Sequence, residues 1–350
     1  MNYPTPVVGA KHFKPLNASS HYRKVFNALL KANEFCFEGT FGTAMSFYSW
    51  LKKQVNVLVP INDYPSSRAN RDKLKQLTSR LFVRIVDHSM HLQKSPHIPW
   101  LKEFYPDLND FFLPFTDVLG MNGSYQWFTA GVEFPKLEHR VHPYYGVYFP
   151  TRTEHLLLFD EWLNDNKGIR NAIDMGTGCG VLSFYMLKHG VENVLATDIN
   201  PNAMYGLLLD IQRLGLEPKV MLMQANLFSG VDVKDRELVV INPPWIPAET
   251  FGSIDIAMYY TNDFFANFFS QAALKLSLNS RLVILFSSFA QAAGISWDHP
   301  IRRELESNTR FSLADYKQVS LKQQLSSKKS WLSEVRSNEK VELWELKLVK

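Results

Sequence analysis

Short apolar runs separated by polar or glycine-rich stretches dominate the second half of the chain. The central run opens Ala172–Gly180 (AIDMGTGCG), where Gly176, Gly178 and Gly180 follow at alternate positions. A run of this length typically forms a parallel strand that is buried on both faces. Glycines directly after a strand let the backbone turn sharply and approach a ligand closely. We therefore predict a buried strand that leads into a ligand-binding loop.

Six further runs of apolar and β-branched residues follow the first one and predict six more strands. They are Val194–Thr197, Val220–Gln224, Leu238–Ile241, Arg281–Phe286, Ala314–Val319 and Val341–Val349. Helices are predicted between them at Asn262–Leu276 and Pro300–Ser307, and the polar, basic stretch Leu321–Lys340 is typical of a loop or short helix. Strands that alternate with helices predict a mainly parallel sheet and therefore an α/β domain.

The first half of the chain follows a helical pattern instead, with apolar residues that recur on one face. The predicted helices are Ser20–Asn33, Thr43–Lys53 and Asn70–His91. Val55–Val59 suits a short strand or a buried connection, and the aromatic stretch Tyr125–Phe149 is typical of two or three antiparallel strands. We predict a mostly helical domain with a small β segment over residues 1–148, and the α/β domain over residues 149–350.

Positive charge is concentrated in the first half of the chain. The 350 residues are 46% hydrophobic, enough to fill a sizeable core, and the net charge is +4. Residues 1–148 carry 17 Lys and Arg against 11 Asp and Glu, whereas residues 149–350 carry 21 against 23. The basic front half suits docking to an acidic partner such as nucleic acid or an acidic protein, although an ordinary solvated surface accounts for it equally well.

Membrane and secreted classes are disfavoured by the sequence. It contains no run of eighteen apolar residues, and its first residues lack the charged-then-apolar form of a signal peptide. Cys36 and Cys179 are the only cysteines, so neither a disulfide framework nor a cysteine zinc site is indicated, and we predict no metal site. The expected location is the cytoplasm, without a membrane partner.

The spacing of the glycines bears on which cofactor the loop holds. A dinucleotide loop needs G-x-G-x-x-G, but here the third glycine comes one residue early, and no G-K-[ST] follows to make a P-loop. The pattern resembles the first motif of class I S-adenosylmethionine (SAM) methyltransferases, an acid followed by G-x-G-x-G. That resemblance implies SAM as the cofactor. It also implies contacts to SAM from Asp174, Gly176, Thr177, Gly178 and Gly180.

The next two predicted strands end in residues that match the same family. Asp198 and Ile199 stand where the resembled enzymes place an acid on the ribose hydroxyls, since a carboxylate accepts two hydrogen bonds from a vicinal diol. Asn226 and Leu227 stand where they commonly place Asp or Asn toward the adenine amine. The resemblance therefore adds these four residues to the cofactor site. It also implies a Rossmann-like fold whose seven-stranded sheet ends in an antiparallel hairpin.

The fourth predicted strand ends in Asn242-Pro243-Pro244-Trp245, the most specific motif in the chain. On its own, a strand that ends at two prolines also fits a simple turn. In the resembled family this motif marks methylation of a planar amide or amine nitrogen. The Asn242 carboxamide oxygen and the Pro243 carbonyl would accept its two N–H bonds, and Trp245 would stack on its plane. Positioning would then supply most of the rate effect.

A segment just ahead of the α/β domain narrows the resemblance. Pro150, Arg152 and Glu154 are similar to the proline-arginine-threonine-glutamate stretch of release-factor glutamine methyltransferases, which borders the SAM and substrate pocket. The resemblance covers residues 145–290 and adds Arg152 to the predicted cofactor site. It implies an N-methyltransferase that acts on a protein glutamine.

The methyl acceptor stays open at this point. The chain departs from the glutamine methyltransferases at Trp245, where tyrosine is usual, and at Asn226, where Asp is usual. An exocyclic amine of adenine or guanine in RNA or DNA uses the same motif chemistry, and a small-molecule amine would suit an aromatic-rich front domain. A noncatalytic partner protein with this fold is the remaining alternative, and the intact motifs argue against it.

Overall fold

The computed structural model describes residues 1–9, 12–250, 253–307, 309–321 and 330–349. Contacts divide the chain into two compact units. The first unit is Tyr3–Gln126, and the second joins Met1–Asn2 to Trp127–Lys350. The division by contacts thus falls after residue 126, earlier than the domain boundary at residue 148 that the sequence predicts.

The first unit combines helices with a five-stranded sheet. Its elements are β1 (Lys14–Leu16), α1 (Tyr22–Leu30), β2 (Phe35–Phe37), α2 (Phe41–Leu58), α3 (Tyr64–Thr78), β3 (Leu81–Val86), β4 (Ser89–Met90), α4 (Trp100–Phe104), β5 (Asp110–Pro114) and most of α5 (Phe115–Ala130), whose last four residues belong to the second unit. Strands β1, β2 and β3 are parallel, and both β4 and β5 pair antiparallel with β3. Helices cover more residues of this region than strands do, in agreement with the helical character that the sequence predicts.

Two predictions inside the first unit are wrong. The predicted helix Asn70–His91 ends as α3 at Thr78, and β3 and β4 follow it. Leu81 and Ile85 fit helical spacing, but the β-branched and aromatic residues around them favour a strand in the sheet. The predicted strand or connection at Val55–Val59 is the end of α2, where Val55 is fully buried.

The prediction of antiparallel strands over Tyr125–Phe149 is also wrong. Helix α5 runs to Ala130, and the rest of this fully described stretch contains one isolated bridge, between Val132 and Val141. Pro135 and Pro143 lack the N–H that a ladder requires. The aromatic side chains instead pack as edge-on pairs, such as Phe128 with Tyr144 at 5.6 Å between ring centroids.

The second unit is built on a seven-stranded sheet. Its strands are β6 (Asn171–Met175), β7 (Asn193–Asp198), β8 (Val220–Gln224), β9 (Leu238–Ile241), β12 (Arg281–Ser287), β13 (Phe311–Ser320) and β14 (Lys340–Leu348), with a small pair, β10 (Ile246–Pro247) and β11 (Tyr259–Tyr260), outside it. Its helices are α6 (Glu154–Asp165), α7 (Val181–Lys188), α8 (Pro201–Leu214), α9 (Ser253–Met258), α10 (Phe264–Lys275), α11 (Phe289–Ala292), α12 (Pro300–Ser307) and α13 (Trp331–Asn338).

The strand order β13-β14-β12-β9-β6-β7-β8 confirms the predicted α/β fold with its terminal hairpin. Strands β6 to β9 and β12 run parallel, while β14 pairs antiparallel with both β12 and β13. The seven predicted strands all form, within a few residues of their predicted ends. Helix α13 lies in the stretch predicted as a loop or short helix, of which residues 322–329 lie outside the described residues.

The order of the strands positions the site. The chain moves from β6 through β7 to β8 on one side, and then returns to place β9 on the other side of β6. Parallel sheets bind ligands where the order reverses, beyond the carboxyl ends of the strands. Because Met175 pairs with Ile241, the loops that follow β6 and β9 lie side by side. No helix within the described ranges is long and apolar enough to span a bilayer.

Candidate active site at the reversal of strand order

A cavity of about 360 Å³ lies beyond the carboxyl ends of β6, β7 and β9. The predicted residues that line it are Gly176, Thr177, Gly178, Asp198, Ile199, Asn226, Leu227, Asn242, Pro243 and Pro244. Apolar side chains such as Leu182, Ile241 and Phe264 line other parts of the wall. The structure therefore brings most of the predicted cofactor and acceptor residues to one cavity.

The glycine loop forms part of the wall with its backbone. Gly176 and Gly178 both have positive φ, +69° and +53°, a conformation that other residues adopt at a cost. A Cβ on Gly178 would lie 3.2 Å from the Tyr148 carbonyl oxygen. The N–H of Thr177 donates to the Thr197 carbonyl at 2.8 Å, which ties the loop to the end of β7. The loop is thereby fixed at the carboxyl end of β7, where its residues line the cavity.

Asp174 supports this loop from below and does not line the cavity. Its side chain is fully buried, and Oδ2 accepts from the Thr177 hydroxyl at 2.6 Å and from both the backbone N–H and the hydroxyl of Ser183, at 2.9 and 2.6 Å. Burial raises the pKa of Asp174 to about 6. The geometry thus gives Asp174 a positioning role beneath the cofactor loop.

Gly180 likewise lies behind the loop, where it caps α7 with φ +83°. A Cβ there would come within 2.4 Å of Leu207 Cδ1.

We expect Gly180→Ala to lower the free energy of unfolding by roughly 2–4 kcal/mol, since overpacking adds to the left-handed strain. Urea denaturation measures this loss. Gly190→Ala is the matched control, because Gly190 has φ +90° but no heavy atom near its Cβ position. Equal losses in the two variants would contradict the overpacking argument.

Asp198 lines the cavity with a carboxylate that is already held by the backbone. Oδ2 accepts from the Gly178 N–H and Oδ1 from the Asn200 N–H, both at 2.8 Å. Burial raises the pKa of Asp198, and these backbone N–H groups partly offset that rise. A carboxylate fixed in this way keeps further lone pairs available to a ligand.

Asn242 directly follows β9 and supplies the most specific polar feature of the cavity. Its Oδ1 is buried and has no hydrogen-bond partner among the described residues. A buried acceptor without a partner costs roughly 1–3 kcal/mol unless a ligand satisfies it. Pro243 and Pro244 line the wall beside it. This part of the cavity is therefore prepared for an N–H donor.

Trp245 and Arg152 are not among the residues that line the cavity. The indole N–H of Trp245 donates to the Leu285 carbonyl at 3.3 Å, and its ring meets His155 edge-on at 5.3 Å. The Arg152 guanidinium lies 4.0 Å from the Glu154 carboxylate. The predicted stacking role of Trp245 and the predicted cofactor contact of Arg152 thus lack support in this geometry.

Some cavity residues are not predicted from the sequence. Asn2, Gly146, Val147, Tyr148 and Cys179 all line the cavity. Tyr148 is two residues before Pro150, where the matching segment begins, and Cys179 lies inside the glycine loop. The position of both residues next to a motif could therefore have indicated that they line the cavity. Nothing local points to Asn2, which lies about 170 positions before that loop.

Within the described ranges, no group of three or more His, Cys, Asp or Glu side chains is placed to hold a metal ion.

His155 is a buried titratable group behind the cavity. It is 1% exposed, neither ring nitrogen has a described hydrogen-bond partner, and burial lowers its pKa to about 3. Below pH 6.5 the unfolded chain binds a proton at this side chain that the folded protein does not bind, so folding stability falls as the pH falls. Asp174 has the opposite effect, because its folded pKa is raised.

A comparison with His155→Phe isolates the contribution of His155 from that of Asp174. We expect the free energy of unfolding of the variant, minus that of the wild type, to increase by about 2 kcal/mol between pH 7 and pH 5. Urea denaturation at several pH values measures this difference. His12→Gln, a change at an exposed histidine, serves as the control. A pH-independent difference for His155→Phe would show that the imidazole is not buried in its neutral form.

Comparison with known proteins places a family match over this part of the chain. Residues 155–305 match the model of the methyltransferase small domain, which spans α6 to α12 and most of the cavity wall. A ribosomal protein uL3 glutamine methyltransferase of Neisseria gonorrhoeae is 31% identical over 94 residues, 27% of this chain and 31% of its own length. The corresponding Bordetella pertussis protein is 30% identical over 121 residues, 33% of this chain and 40% of its length.

The chain thus matches less than half of the length of these two curated relatives. Among solved structures, a ribosomal protein L11 methylase from Lactobacillus delbrueckii subsp. bulgaricus superposes with a TM-score of 0.40 at 16% identity. That superposition covers 62% of this chain and 91% of the other.

Proposed function

We propose that the protein, whose residues 155–305 match the methyltransferase small domain, uses SAM to methylate the side-chain amide nitrogen of a glutamine in another protein. The observation that carries the proposal is the buried Oδ1 of Asn242 in the cavity, which has no hydrogen-bond partner in the described part of the chain. A planar amide brings the N–H donor that this oxygen lacks. The cytoplasm is the proposed location.

The residues present fit SAM. The cavity joins a glycine loop with open space at Gly176 to the fixed carboxylate of Asp198, which suits the methionine end and the ribose hydroxyls respectively. Ile199 and Leu227 offer apolar contacts beside Asn226, which suits an adenine ring. When bound, SAM would supply an already activated methyl group and leave as S-adenosylhomocysteine. The acceptor nitrogen would be the nucleophile and would release one of its two protons to solvent, so the protein need not supply a nucleophile of its own.

The contribution of this chain to the reaction is positioning. Asn242 Oδ1 and the Pro243 carbonyl would each accept one N–H of the acceptor amide, which fixes the plane of the amide and the direction of its nitrogen. Ile241 and Phe264 line the same cavity, and apolar walls lower the local dielectric constant, which would strengthen these hydrogen bonds. An acceptor nitrogen held at a fixed distance and angle from the methyl group loses little further orientational freedom in the transition state, which lowers the free-energy barrier to transfer.

The named relatives support a protein glutamine as the acceptor. Both matched proteins are described as glutamine methyltransferases of ribosomal protein uL3. Asn242 and Pro243 would accept a nucleobase amine by the same two hydrogen bonds, and the first unit is basic. Residues 3–126 carry 15 Lys and Arg against 9 Asp and Glu. A base in RNA is therefore the second candidate, and the experiment separates the two.

The test is transfer of labelled methyl groups from SAM into a lysate of a strain that lacks this gene. After separation into protein, nucleic acid and small molecules, we expect the label in a protein band and on a glutamine by mass spectrometry. The Asn242→Ala protein, added to the same lysate, is the control for other methyltransferases. Label in the nucleic acid fraction would replace glutamine with a base, and label only in small molecules would exclude both.

A further inference from the structure

Two asparagine side chains at the start of α8 hold distant chain segments at the rim of the cavity. Asn202 forms a reciprocal pair with the backbone of Asn2. Its Oδ1 accepts from the Asn2 N–H and its Nδ2 donates to the Asn2 carbonyl, both at 2.7 Å. The same Nδ2 donates to the Tyr145 carbonyl at 2.8 Å. Because Asn202 is 1% exposed, water does not compete effectively for these hydrogen bonds.

Asn200 connects this arrangement to the proposed ribose ligand. Its backbone N–H donates to Asp198 Oδ1 at 2.8 Å, and its side-chain oxygen caps α8 by accepting from the Asn202 N–H at 3.1 Å. Its Nδ2 donates to the Gly146 carbonyl at 2.9 Å. Hydrogen bonds therefore run without interruption from Asp198 through the first turn of α8 to Asn2 and Gly146.

Packing along α8 holds the second segment independently of these hydrogen bonds. A Cβ on Gly206 would lie 2.6 Å from the Cβ of Tyr144, so only glycine allows so close an approach. Tyr144 is buried, and its ring meets that of Tyr205 at 5.0 Å. The residues that follow Tyr144 are thus fixed against the same helix that Asn200 and Asn202 begin.

We propose that Asn2 and Gly146–Tyr148 form a clasp over the ribose side of the cofactor cavity, with Asn200 and Asn202 as its positioning residues. All four clasp residues line the cavity, and α8 begins three residues after Asp198. The inference rests on the proposed function only in that SAM is the occupant. The clasp has no part in methyl transfer, so it acts on how tightly and how long the cofactor is held.

The test compares SAM binding and turnover in three variants of the full chain. Asn202→Ala removes two hydrogen bonds to Asn2 of the clasp and one to Tyr145, the residue before Gly146. We expect its SAM affinity to fall by about 10- to 100-fold with faster dissociation. Asn200→Ser removes the bond to Gly146 but keeps a good helix cap, so we expect a loss of about 3- to 10-fold in a stably folded protein. Asn193→Ala, at an exposed site at the opposite end of β7, should bind SAM as the wild type does.

Turnover separates a clasp from general damage to the fold. At saturating SAM, label incorporation by Asn200→Ser and Asn202→Ala should return to within about twofold of the wild type, because only cofactor retention changes. Wild-type affinity in Asn200→Ser, or a loss of turnover that excess SAM does not restore, would overturn the clasp. If Asn202→Ala does not fold, Asn200→Ser decides the question. A wild-type protein that does not bind SAM would instead remove the proposed function, so the two failures are distinguishable.

Discussion

Asn242→Ala should abolish most methyl transfer while SAM still binds. The variant loses the buried acceptor that orients the substrate amide, and removal of one such hydrogen bond at a reacting group typically lowers kcat by roughly 10²–10³-fold. The cofactor contacts proposed at Gly176, Gly178 and Asp198 are unchanged, so the dissociation constant for SAM should stay within about threefold of the wild-type value. Incorporation of labelled methyl groups measures the first quantity, and calorimetry measures the second.

The division of roles depends on the contrast between these two measurements. Asn193→Ala makes the same substitution at an exposed position and should leave both transfer and SAM binding intact. If Asn242→Ala loses SAM binding in proportion to transfer, Asn242 belongs to the cofactor site and not to the acceptor site. If transfer survives within about tenfold, the acceptor is held by other groups, and the case for an amide substrate loses its main observation.

Asp198→Ala should weaken SAM binding by roughly 10²-fold or more. Hydrogen bonds to a charged group contribute about 1.5–3 kcal/mol each, and the ribose would donate two of them to this carboxylate. The substitution also removes the acceptor for the Gly178 and Asn200 N–H groups, which loosens the glycine loop and the start of α8. Calorimetric titration with SAM measures the loss.

Two further variants separate the charge of Asp198 from general damage. Asp198→Asn keeps one acceptor oxygen, so its SAM affinity should lie between those of Asp198→Ala and the wild type. Asp232→Ala removes an exposed carboxylate that also accepts a backbone N–H, from Lys234 at 2.9 Å, and should leave SAM binding unchanged. Wild-type affinity in Asp198→Ala would place the ribose elsewhere in the cavity.

The parallel strands of the seven-stranded sheet, β6 to β9 and β12, were predictable because each is short, largely apolar and bounded by polar residues or glycine. In a parallel sheet both faces are covered, so the pattern of a single strand does not depend on its neighbours. The loop residues that follow these strands were predictable for a related reason. Once Gly176, Asp198 and Asn242 each end a parallel strand, they share one edge of the sheet.

The local sequence pattern was a poor guide where contacts with a neighbouring strand or helix decide the structure. Leu81 and Ile85 suit a helix as well as a strand, and only pairing with β2 and β5 selects the strand. Trp245 belongs to a motif that suggests stacking on a substrate. Its ring nevertheless packs on His155, and its N–H is taken by Leu285.

The sequence by itself determined the α/β fold and the set of motifs that end its strands, because strand periodicity and glycine loops depend on residues adjacent in the chain. Only the tertiary structure decided that Asn2 and Tyr148 reach the cavity, that Asp174 lies beneath the loop, and that Asn242 Oδ1 has no described partner. These features arise from contacts between residues far apart in sequence. The hydrogen-bonded pair Asn2 and Asn202 is separated by 200 positions in the sequence, and a local sequence pattern cannot predict a contact between residues so far apart.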